Sequence, residues 1–162
     1  MYKQDSFNYT DFLKPYLQEL QLHIANRDSF NPKVSKVPVA WHLDHSLKVI
    51  NSICNALATS DPKVYKSNFN ASRIFCYTFG YLPRGIAKSP RHTLPPDTIE
   101  TEDINEQLRV VQLKLESFAA LDDNANFKHP YFNQLNKRQA KRFLELHTRH
   151  HLKIIEDIIG NK

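Results

Sequence analysis

Three glycines in 162 residues, Gly80, Gly85 and Gly160, set the tightest limit on what this chain can fold into. Average usage is about 7%. The few present cannot form G-x-G-x-x-G or a Walker loop, so the usual glycine-built nucleotide and phosphate cradles are excluded. Two-residue hairpins also rely on glycine, which argues against a tight-turned all-β fold. Helices tolerate such a composition best, and the apolar positions recur at helical spacing.

The first helix is expected from about Tyr9 to Asn26, with Phe12, Leu13, Tyr16, Leu17, Leu20 and Ile24 three and four apart and the regular turns beginning near Asp11. Pro15 then falls in the first two turns, where a missing N–H costs least. A second helix is predicted from Pro38 to about Ala58, and Asp61-Pro62 opens a short turn. A third covers about 70–81, although its aromatic residues would also suit a strand. Residues 82–97, with Pro83, Pro90, Pro95 and Pro96, form a long connection of the kind that is often functional. Helix four is expected over 101–121 and a loop over 122–135. The last helix begins at Asn136 in capping-box form with Gln139, continues to Ile159 and stops at Gly160. The expectation is all-α, an antiparallel four-helix bundle with long crossover loops, in one domain spanning 1–162.

Other classes fall away on composition. The formal net charge of +5 is dispersed, and no RNP-like or zinc-finger pattern accompanies the basic residues, so a solvated face explains them better than nucleic acid. Apolar runs are far shorter than the ~20 residues of a spanning helix, and Met1 to Asn8 has no signal-peptide form. Cys54 and Cys76 form no C-x-x-C and read as core residues of a thiol-reduced, cytoplasmic chain.

The eight histidines are the one excess. With His147 taken as zero on the last helix, His151 lies near +40°, Phe143 near −40°, Ile154 near −20° and Ile158 near +20°. His147 and His151 therefore sit in the centre of the apolar stripe, and His150 at its edge. Two imidazoles one turn apart on one face is a spacing that divalent metals use. The alternative is that both rings are hydrogen-bonded inside the bundle. A third ligand has to come from another helix, and helix two offers Trp41-His42-Leu43-Asp44-His45. On facing alone His42 is the better inward candidate, whereas His45 shares a second seam with Trp41, Val49 and Ala56. Asp44 is a candidate supporting carboxylate or ligand. There is no H-E-x-x-H, and no Glu-x-x-His pair of the di-iron type, since Glu145 is too close to His147.

Leu43-Asp44-His45-Ser46-Leu47 on helix two, with His147-x-x-x-His151 on the last helix, resembles the DinB/YfiT-like superfamily. His129-Pro130-Tyr131-Phe132 and Arg149-His150-His151-Leu152 resemble a branch of it described only as a domain of unknown function. The resemblance follows helix order and length over nearly the whole chain. It implies a four-helix bundle holding one divalent metal, zinc or nickel, on His45, His147 and His151, with His42 the alternative on helix two. Relatives include transferases and isomerases that use low-molecular-weight thiols, and metal-dependent hydrolases. The chain is thus expected to be a metal-dependent hydrolase or a thiol S-transferase, acting on a small molecule and, in the second case, taking a low-molecular-weight thiol as cosubstrate. A homodimer is left open. The competing expectation is a non-catalytic binding or stress-response bundle with internally satisfied histidines. His129 is placed over the pocket by its His-Pro loop, with Tyr131 as a donor beside it. Arg84, Lys88, Arg91 and His92 form a basic loop that is either solvated or holds an anionic cosubstrate.

Overall fold

Each predicted helix has a counterpart in the computed structural model, which describes residues 11–85 and 89–160. Helix α1 (Lys14–Leu22) carries Pro15 in its first turn, where no intrahelical partner is lost. Its expected last turn, His23–Asn26, tightens into a 3-10 helix. Pro38 is the residue before α2 (Val39–Ala58) rather than part of its first turn. The turn opened by Asp61 is a 3-10 turn, Pro62–Val64, capped by the Asp61 carboxylate. Helix α3 is Ala71–Phe79, so the aromatic segment is helical and not a strand. Helix α4 is Thr101–Phe118, about a turn shorter than its periodicity suggests. Helix α5 (Lys137–Ile159) has both capping-box bonds between Asn136 and Gln139, at 3.0 and 3.1 Å, and ends at Gly160 in the left-handed region. Among the described residues, no helix is long and apolar enough to cross a membrane.

The helices pack as a bundle. α2 lies against α4 and α5, and α1 contacts the same two. Leu43, Leu47, Ile50 and Leu57 of α2 meet Ile104, Leu108 and Val111 of α4 and Leu144, Leu152 and Ile155 of α5 in one continuous core. Each such side chain contributes roughly 1.5–3 kcal/mol on burial. A buried lysine ties off α4: the Lys137 ammonium donates to the carbonyls of Ala119 and Leu121 just past its C-terminus, where cations are favoured.

The chain is not all-α. The segment read as a loop over 122–135 holds an antiparallel hairpin, β1 (Asn126–His129) with β2 (Asn133–Asn136), in register Asn126↔Asn136 to His129↔Asn133. A three-residue turn joins the strands, and Asn133 takes the left-handed conformation (φ 59°) that glycine would otherwise supply. Strands of four residues, each with a single apolar side chain (Phe127 and Leu135), leave no periodicity to read. They are held by distant side chains instead. Asn68 donates to the Gln134 carbonyl (2.7 Å), and the buried Arg73 of α3 donates to the Phe132 carbonyl (3.0 Å) and to Asn68. Arg149 of α5 donates to the carbonyl of Gly80, whose left-handed φ of 62° ends α3. These bonds close the hairpin and α3 over the end of the bundle where the histidines lie.

Candidate metal centre

α2 is buried on two sides. One stripe fills the bundle core, and the other, with Trp41, His42, His45 and Val49, forms one wall of a cavity of about 1050 Å³. Across it, α5 presents Phe143, His147, His151 and Ile154, and the hairpin supplies His129 and Tyr131. His45, His147 and His151 each offer a ring nitrogen, and these nitrogens lie within 4.8 Å of one another. The ring centroids are 5.2 Å apart for His45–His147, 4.9 Å for His45–His151 and 4.6 Å for His147–His151. Zinc bound at about 2.0–2.1 Å by each of three nitrogens separates them by about 3.3 Å, so modest ring rotations close the triangle. Among the described residues, this is the one group of histidine, cysteine, aspartate or glutamate side chains so arranged.

The hydrogen bonds around the triad fix which nitrogens remain for a ligand. The Nδ1 of His45 lies 2.8 Å from the Thr93 carbonyl, which can only accept, so Nδ1 carries the proton and Nε2 keeps its lone pair. His151 Nδ1 is 2.9 Å from His42 Nδ1, and His42 Nε2 is 3.0 Å from Ser35 Oγ. If His151 presents Nε2 to a metal, its Nδ1–H donates to His42, and His42 in turn donates to Ser35. Metal-bound histidines are commonly held in this way by a partner on the other ring nitrogen. Trp41 stacks on the His45 ring at 4.8 Å, which limits its rotation. His147 differs from the other two: its Nδ1 is buried with no hydrogen-bond partner, a state that costs about 1–3 kcal/mol unless something binds it.

Protonation favours cation binding as well. Burial lowers His147 and His151 well below the usual imidazole range, and neighbouring histidines lower them further. Burial also lowers His45, against the opposing pull of the Thr93 carbonyl and Asp44. His42 falls to about 4, chiefly through burial and then through His45. The rings are therefore neutral near pH 7, the form that ligates. Three neutral nitrogens beside an open cavity fit a divalent cation that keeps a position free for another ligand.

Two expectations about α2 change. His42 faces inward, as its angle on the helix suggested, but it hydrogen-bonds a member of the triad and does not belong to it. Asp44 lies outside the triad and acts on His45 through its charge. Although buried, its carboxylate accepts from Gln107 of α4 at 2.6 Å and pairs with Lys48 at 2.7 Å, fastening α2 to α4. His150 lines the cavity with its ring edge-on to His151 at 5.2 Å. Arg84 and His92 line the cavity too, but the Arg84 guanidinium is paired with Asp157 at 2.7 Å. Lys88 lies outside the described residues. Both cysteines are free and buried, and burial raises the Cys54 thiol to about 11.

Sequence reasoning missed Thr93 and Ser35, which act through a main-chain carbonyl and a loop hydroxyl and leave no mark on helical periodicity. Trp41 was readable, because it precedes His45 by one helical turn. No family model, curated protein or solved structure matches the chain.

Proposed function

We propose that this chain is a divalent-metal enzyme of the DinB/YfiT-like kind, with zinc or nickel on His45, His147 and His151. Its reaction is hydrolysis or transfer of a low-molecular-weight thiol, on a small molecule held in the adjoining cavity. The observation that carries the reading is the convergence of three neutral imidazoles on one wall of a cavity large enough for a small-molecule substrate. When bound, the metal supplies a Lewis acid that makes a water or a thiol more acidic at neutral pH. The chain's own residues do the rest. Thr93 and the His42–Ser35 pair hold two of the rings in their ligating tautomers. Trp41, Phe143 and Ile154 give the site an apolar wall that excludes bulk water and strengthens electrostatic interactions within it.

The non-catalytic alternative has some support, since His45 and His151 are hydrogen-bonded inside the protein. The unpartnered Nδ1 of His147 counts against it. The test is a turnover screen of protein reloaded with zinc or nickel, using aryl esters and amides in one arm and small thiols with an electrophile in the other. Turnover in one arm that chelator and His45→Ala both abolish supports the proposal. Metal-loaded protein inert in both arms favours the binding module.

A further inference from the structure

His129 ends β1 and lines the cavity beside the histidine triad without belonging to it. Its Nδ1 lies 3.1 Å from the main-chain nitrogens of both Tyr131 and Phe132. A backbone N–H can only donate, so Nδ1 is an acceptor, and the neutral ring must carry its proton on Nε2. No hydrogen bond from a described residue reaches that Nε2. Phe132 stacks on the ring at 4.8 Å and Phe143 stands against it at 4.5 Å, which holds the ring with Nδ1 on the turn and the Nε2 edge turned away from it. Burial lowers the His129 pKa to about 4, which keeps the ring neutral in this form near pH 7. Phe143 also touches His147 at 5.3 Å, placing the N–H one aromatic ring away from the triad.

The rest of the wall restricts what this donor can meet. Trp41, Val49, Ile53, Phe75, Phe143 and Ile154 contribute apolar surface, and among the described residues no aspartate or glutamate lines the cavity. Two described cations line it: Arg84, which is paired with Asp157, and the exposed Lys128 of β1. A largely apolar chamber with a neutral donor held at one edge favours a largely apolar ligand that carries an acceptor there. We propose that the cavity takes a largely apolar molecule whose carbonyl-class oxygen accepts a hydrogen bond from Nε2–H of His129, so that His129 orients the substrate at the metal site. This deepens the metalloenzyme reading and rests on it for the word substrate, but the binding geometry is testable without metal.

The experiment uses the full chain after chelator treatment. Long-range proton–nitrogen NMR reports the His129 tautomer, and ligand titration compares acetophenone with α-methylstyrene, its hydrocarbon counterpart. His129→Asn keeps an acceptor near the Nδ1 position for the turn but has no donor at the cavity edge. His129→Gln places an amide near Nε2. The expected result is an Nε2–H tautomer in the wild type and a ketone-to-alkene affinity ratio about fivefold lower in His129→Asn, partly restored in His129→Gln. An Nδ1–H tautomer, an unchanged ratio in His129→Asn, or binding of neither probe at millimolar concentration would overturn the proposal. None of these outcomes depends on metal content, so failure here is distinct from failure of the metalloenzyme reading.

Discussion

Replacing His42 with phenylalanine keeps a ring of similar size but removes both of its hydrogen bonds, the one to His151 at 2.9 Å and the one to Ser35 at 3.0 Å. The two rings are themselves only 4% (His42) and 7% (His151) exposed, so water cannot readily replace the lost acceptor between them. His151 would then hold a buried Nδ1–H with nothing to receive it, at a cost of about 1–3 kcal/mol whenever Nε2 is used for ligation. Loss of such an outer partner typically lowers metal affinity about 10- to 100-fold, or about 1.4–2.7 kcal/mol. The assay is a zinc titration of metal-free protein at pH 7.5 in competition with a chromophoric chelator. His42→Phe is expected to bind one zinc per chain with a Kd raised by that factor. His42→Asn carries an acceptor near the position of Nδ1 and is expected to stay within about threefold of wild type. Wild-type affinity in folded His42→Phe would refute the argument. So would an asparagine variant as weak as the phenylalanine one, because the acceptor would then not be what His42 provides.

Three further expectations follow from particular bonds. His129 has a pKa of about 4 in the fold against about 6.5 for a free imidazole, so below pH 6.5 the unfolded chain takes up a proton that the folded one does not. The His129 contribution to the stability of the metal-free protein should be lost as pH drops from 6.5 to 4 and level below that. Urea titrations should show the wild-type pH dependence exceeding that of His129→Asn by up to about 3 kcal/mol, and parallel pH profiles would contradict it. Arg73→Met leaves the Phe132 carbonyl and two Asn68 acceptors without their donor and should cost about 2–3 kcal/mol, with faster amide exchange in the hairpin. A loss below 0.5 kcal/mol, roughly the level of a neutral surface change, would show that the arginine does not hold the hairpin. Asn136→Ala removes the capping box of α5 and should cost about 1 kcal/mol in thermal or urea unfolding. No change would mean that the bundle, not the cap, sets where α5 begins.

The features legible in the sequence were those written in helical period or in cap chemistry. The capping box at Asn136, the stop at Gly160 and the inward placement of His151 all follow from one 3.6-residue pattern on α5. α2 was harder because it buries two faces, so its apolar stripe could not say whether His42 or His45 joins the other two histidines. The resemblance chose His45, and the geometry places that residue in the triad. What could not be read depends on contacts between distant segments. Thr93 meets His45 across 48 residues, and Arg73 reaches the Phe132 carbonyl across 59. The hairpin was missed because its strands are four residues each with a single apolar side chain, Phe127 and Leu135, and because Asn133 takes the left-handed conformation where glycine was the signal sought. Asp44 shows both cases: its pairing with Lys48, one helical turn on, was readable in the sequence, whereas its bond from Gln107 spans 63 residues.

The most direct test of the metal centre is elemental analysis of the full chain purified without a metal-binding tag, wild type beside the His147→Ala/His151→Ala double variant. The account predicts about one zinc or nickel per wild-type chain and next to none in a double variant that still shows a helical circular dichroism spectrum. A metal content near one per chain in both proteins, or near zero in both after supplementation with zinc and nickel, would contradict it.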